Sequence, residues 1–162
     1  MKESADSIIE TLKLAPHEEG GWFRRTYQCD MIIQSPSGIR PCGTSILYLL
    51  EKGKVSKLHS LVSDETWYFH QGNPLELHLF GPSQYECFRL GHGLKDGHLP
   101  QLTIPSGTIF CAESEGPDEW TLVSCSVSPG FDYSDLCWVN LEELVREYPE
   151  QESLIRRTSY AQ

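Results

Sequence analysis

Gly53-Lys-Val-Ser-Lys-Leu-His59-Ser-Leu-Val-Ser-Asp-Glu65-Thr-Trp-Tyr-Phe-His-Gln-Gly72 is the stretch that decides the fold. Five residues separate Gly53 from His59, and six separate Glu65 from Gly72. The two glycines supply turn conformations that other residues avoid. Between them, 55–61 and 66–70 read as short strands divided by Ser63-Asp64. Strand alternation from Glu65 places Trp67 and Phe69 on its face, with Tyr68 and His70 opposite.

Working outward, further short strands read at 22–28, 45–50, 75–80, 85–90, 101–104, 108–113 and 120–128, with Gly, Pro, Asn and Ser turns between them. Residues 29–43 read as turn-rich and 91–100 as a loop. The ends read as short helices. One covers 6–14, with Ser7 and Glu10 as a capping box. Another follows Asn140, whose box partner is Glu143, and a third covers 150–157 beyond Pro149. No βαβ alternation occurs, which excludes a doubly wound sheet. The pattern predicts an all-β barrel or jelly roll with short N- and C-terminal helices, as one domain over residues 1–162.

The charge narrows the function classes. The chain carries a net charge of −10, with −2 in residues 1–81 and −8 in residues 82–162. No basic stripe is available to neutralise phosphates, so nucleic acid is not an expected partner. An anionic membrane surface is disfavoured for the same reason. The six cysteines form no Cys-x-x-Cys pair, which excludes a zinc ribbon or a thioredoxin motif. The acidic opening Met1-Lys-Glu-Ser-Ala-Asp-Ser leads into no apolar signal region. Free and mostly buried thiols in the cytoplasm are the expectation.

The frame of the opening stretch resembles the first motif of the cupins, which in metal-binding members carries His-x-His before the Glu. Leu61 stands at the second His position. The second cupin motif has Pro-x-Gly, two residues, then His; here Pro105-Ser-Gly107 leads to Phe110. Several ordered stretches resemble one family in particular, the fifth cupin family, a domain of unknown function. They include Glu19-Gly-Gly-Trp-Phe-Arg-Arg-Thr-Tyr27, Ser45-Ile-Leu-Tyr-Leu-Leu50, Gly72-Asn-Pro-Leu-Glu-Leu77 and Ser128-Pro-Gly-Phe-Asp-Tyr-Ser-Asp135. The resemblance implies a double-stranded β-helix of the sugar-epimerase-like cupin type, usually a homodimer.

His59 and Glu65 are the catalytic candidates. In such a barrel both would point into the cavity, and a carboxylate beside a His suits it to acid–base work. Trp67 and Phe110 are expected to line an aromatic pocket or fill the core. Arg24 and Tyr27 are ligand-binding candidates, sharing a pocket only if a bulge interrupts their strand. No resident cofactor is expected. A divalent metal on His59 and Glu65 would need a third donor such as His70 or His78. Asp132 and Asp135 read as turn residues, and His17, His92 and His98 as solvated loop residues.

The leading expectation is an aromatic-lined pocket for a small metabolite, its activity unresolved; if it is an enzyme, isomerase or epimerase chemistry on a sugar or sugar nucleotide is expected. The alternatives are a non-catalytic ligand-binding or sensing module and a metal-dependent cupin oxygenase or isomerase.

Overall fold

A computed structural model describes residues 3–82 and 84–159; Met1 and Lys2 of the acidic opening lie outside them. The chain begins with helix α1 (Ala5–Leu12) and strands β1 (Ala15–Pro16) and β2 (Trp22–Gln28). A small hairpin follows, β3 (Ile32–Ser35) and β4 (Gly38–Pro41), where the sequence reads as turns alone. Then come β5 (Thr44–Glu51), β6 (Val55–Leu61), β7 (Asp64–Gly72), β8 (Leu75–Phe80) and β9 (Tyr85–Leu90). The series closes with β10 (Gln101–Ile104), β11 (Ile109–Ser114), β12 (Trp120–Ser128), β13 (Leu136–Trp138), α2 (Leu141–Glu147) and α3 (Glu152–Thr158).

Two antiparallel sheets pack face to face. One has the order β1-β2-β5-β12-β7-β10, the other β13-β6-β11-β8-β9. Neighbours in space are distant in sequence, as in a jelly roll, and the barrel is a double-stranded β-helix. Among the described residues, no helix is long and apolar enough to cross a membrane.

Alternation sorts the side chains. On β8, Leu75, Leu77 and Leu79 enter the barrel core with Tyr48, Trp67, Phe69, Phe110 and Val123. Phe80, on the outer face, joins Leu58, Leu144, Leu154 and Ile155 beneath the C-terminal helices. The apolar faces of α2 and α3 thus cover one sheet, while α1 lays Ala5 and Ile8 against Leu49 and Trp120 on the other.

Helix caps follow local chemistry. Asn140 caps α2, its side chain accepting from the Glu143 amide at 3.4 Å. At α1 the cap is Ser4, whose hydroxyl accepts from the Ser7 amide. The expected box at Ser7 is therefore displaced by one turn, because an equally good cap lies three residues earlier.

Asp132 and Asp135, expected as turn residues, divide their roles. Asp132 accepts from the Ser134 amide and hydroxyl. Asp135 is buried and makes a paired ion contact with Arg40, both at 2.7 Å. That contact ties the β3–β4 hairpin to the approach of β13. Of the six free cysteines, only Cys111 and Cys125 are buried, which corrects the expectation of mostly buried thiols.

Candidate active site

The interior changes character at one end of the barrel. β6 brings in His59 and β7 brings in Glu65 and Trp67, all below a tenth exposed. β11 brings Phe110, whose ring lies 4.3 Å from the His59 imidazole and 6.2 Å from Trp67. These four expected site residues therefore meet inside the barrel.

The sequence reading missed Glu19. It sits in the turn between β1 and β2, with its carboxylate Oε1 3.5 Å from His59 Nε2. Three contacts hold the turn: the Lys57 amide donates to Glu19 O at 2.8 Å, Tyr48 Oη donates to Gly20 O at 2.8 Å, and the His17 amide donates to Gly21 O. Gly20 and Gly21 both have positive φ, +105° and +68°. A Cβ on Gly20 would lie 2.3 Å from Val55 O. The backbone can thus approach β6 only because no side chain intervenes.

His17 was expected in solvent and is instead half-buried, its ring edge-on to Phe23 at 4.5 Å. With Glu19, Glu65, Phe23, Ile46, Cys125 and Phe131 it lines a cavity of about 30 Å³. That volume holds a water molecule or two.

Arg24 and Tyr27 lie outside the cavity. A bulge does interrupt β2 between Arg25 and Tyr27, but both Arg24 and Tyr27 stay exposed, Tyr27 by 55%. Phe23 is the β2 residue that enters, because Trp22 and Arg24 share the opposite face of the strand.

Protonation states follow from hydrogen bonds and burial. His59 Nδ1 lies 2.6 Å from Lys57 O. A carbonyl only accepts, so Nδ1 carries the proton and Nε2 presents its lone pair. Burial lowers the pKa of His59, against the opposing pull of the Lys57 carbonyl and Glu65. Burial also lowers His17 to about 4, helped by nearby His59. It raises Glu19 to about 8. It raises Glu65 to about 7, with Glu19 adding like-charge repulsion. Burial and then Glu65 push the Cys125 thiol well up, so it is no thiolate nucleophile at neutral pH.

Among the described residues, His59 Nε2, Glu65 Oε2 and Trp67 Nε1 are buried without a hydrogen-bond partner. Buried polar atoms in folded proteins are nearly always satisfied. Glu65 lines the cavity, whereas His59 and Trp67 are buried in the barrel and are not among its lining residues.

The third donors suggested for a barrel metal are not gathered around His59. Among the described residues, the trio of His, Cys, Asp or Glu donor atoms gathered within 4.8 Å is Glu76, His78 and Cys87, not a set around His59. Neither suggested third donor reaches His59. His70 is exposed and bonds Ser124 Oγ at 2.7 Å. His78 lies on the outer face of β8, bonded to Tyr85 Oη at 2.8 Å. Its pKa rises to about 9: burial opposes protonation, but the neighbouring Cys87 and Glu113 outweigh it.

These shifts make stability depend on pH. Glu19 and Glu65 keep protons in the fold well above the ordinary 4.5. The folded state then binds more protons than the unfolded one up to about pH 8, and stability falls as pH rises through that window. His17 acts in the opposite sense: its stabilisation is full above 6.5 and is lost as pH falls toward 4. Between pH 6.5 and 8 the two carboxyls and His78 act together in one direction. Thermal unfolding should therefore drop by roughly 5 °C or more between pH 6.5 and 8, and Glu19→Gln should remove much of that drop. Equal drops in both proteins, measured by scanning calorimetry, would mean that Glu19 ionises normally.

A family model described as Cupin superfamily (DUF985) matches residues 6–138. Among solved structures, a hypothetical protein from Leishmania major is similar with a TM-score of 0.90 and 34% identity, over 98% of this chain and 100% of that one. Protein SO0799 from Shewanella oneidensis gives 0.88 and 35%, over 99% and 100%. The uncharacterised protein YML079W of Saccharomyces cerevisiae is 27% identical over 155 residues, 86% of this chain and 77% of its own length.

Proposed function

We propose, from the premise that this chain belongs to the DUF985 family of the cupin superfamily, that its barrel is a proton-transfer site acting on a small carbonyl-bearing metabolite. The carrying observation is the 3.5 Å approach of the His59 lone pair to a carboxyl that holds its proton at neutral pH. Neighbouring groups whose pKa values are driven apart by their surroundings divide into a base and an acid. His59 Nε2 takes the proton alpha to a carbonyl, and the Glu19 carboxyl returns one. Glu65 and Trp67 Nε1 offer an acceptor and a donor to the substrate's polar atoms. This is isomerase or epimerase chemistry, and a sugar or the sugar end of a sugar nucleotide is the substrate class.

The cavity of about 30 Å³ favours a second reading, a binding module that takes a very small polar ligand without turning it over. Exchange with solvent separates the two. The protein is incubated in deuterated water with a panel of aldoses, ketoses and sugar nucleotides, and each is followed by NMR. Deuterium should enter at the carbon beside the carbonyl in one substrate class, and the signal should vanish with His59→Ala. No incorporation anywhere, together with saturable thermal stabilisation by one compound, would leave the binding module as the function.

A further inference from the structure

A second cluster lies on the opposite side of the sheet from His59. Register puts His78 of β8 directly beside Cys87 of β9. One donor atom from each of Glu76, His78 and Cys87 lies within 4.8 Å of the other two. The geometry points to a binding site for a zinc-class divalent cation at Glu76, His78 and Cys87, independent of the barrel.

Each donor is already aimed. Tyr85 Oη holds His78 Nδ1 at 2.8 Å, which turns Nε2 toward the cluster. Nε2 is buried and has no hydrogen-bond partner among the described residues. Arg89 grips Glu76 by Oε1, at 2.6 Å from Nη2 and 2.8 Å from Nε. That leaves Oε2 facing His78 Nε2 at 3.8 Å. Cys87 is exposed and completes the set from the solvent side. Thiolate, imidazole and carboxylate together suit zinc or cobalt rather than magnesium or calcium.

Glu113 is the competitor, with Oε2 3.3 Å from His78 Nε2. Its two oxygens are taken by Arg157, at 3.0 and 2.7 Å, so it serves as a charged neighbour and not as a ligand. Donors around one tetrahedral ion sit about 3–4 Å apart, so the three arms need to close by roughly 1 Å. The Glu76 and Cys87 side chains, on the open side, can do this by rotamer adjustment.

Cobalt(II) titration of the metal-free, full-length protein tests the site through the thiolate-to-cobalt charge-transfer absorption. The band should grow to one cobalt per chain in the wild type. It should persist in His59→Ala and Cys137→Ser and be lost in Cys87→Ser. Tyr85→Phe should weaken binding roughly tenfold, the usual cost of freeing an imidazole ligand from its outer partner. Overturning results are no band in the wild type, a band that survives Cys87→Ser, or one abolished by His59→Ala.

Discussion

Glu19→Gln is expected to slow deuterium incorporation roughly 10²- to 10⁴-fold, the usual contribution of a positioned acid or base. The amide has nearly the shape of the carboxyl and can still accept from Ser56 Oγ, which lies 3.4 Å from Oε2. What it cannot do is give up a proton and take it back. Two features of the pH profile make the prediction specific. The wild-type rate should fall on the alkaline side near pH 8, where Glu19 loses its proton. On the acid side activity should persist below pH 6.5, because burial keeps His59 neutral there. The residual rate of Glu19→Gln should lack the alkaline limb. An unchanged rate, or a limb that remains at the same pH, would remove Glu19 from the chemistry and leave His59 with another partner.

Gly20→Ala should lower the stability of the fold by about 3 kcal/mol or more. Two costs coincide at that residue. Its φ of +105° is strained for any residue with a side chain. The added methyl would also meet the Val55 carbonyl oxygen at 2.3 Å, and backbone does not rotate away. Gly53→Ala separates these causes. Gly53 also has positive φ, +76°, but nothing lies within 4 Å of its would-be Cβ. It should lose only about 1 kcal/mol from backbone strain. Urea unfolding of both variants with unchanged m-values checks the comparison. Similar losses would mean that the turn retreats from β6 at little cost.

The barrel was legible because its signals are local. Turn residues and period-two alternation place most strands within a residue or two of their observed bounds. The same alternation put Glu65, Trp67 and Phe69 on one buried face, and all three are buried. The β3–β4 hairpin was not legible, since Ser35-Pro-Ser-Gly38 reads as a turn whether or not strands flank it. The acid of the candidate site escaped for a different reason. Glu18 and Glu19 are adjacent acidic residues before two glycines, and such a pair reads as a solvated turn. Only the docking of that turn onto β6, 37 residues from Glu19 at Ser56, distinguishes the buried carboxyl from the exposed one. The available hint was the glycine pair itself, which marks a close backbone approach and so a neighbour worth inspecting. Arg24 and Tyr27 misled in the converse way: Arg24 faces away from the cavity, and Tyr27 remains exposed beyond a bulge.

The docked turn also makes the acidity of Glu19 a gauge of structural completeness. Its carboxyl is a poor acid only while Lys57 and Tyr48 hold the turn at Glu19 and Gly20 against the barrel. Admitting water there needs no unfolding of the two sheets, since short segments open locally at far less cost than the whole domain. Rehydrated, Glu19 would ionise like any surface carboxyl, and the proton donor would be gone at neutral pH. An intact barrel with a lifted N-terminal strand would therefore be folded yet silent, a state invisible to measurements of overall secondary structure.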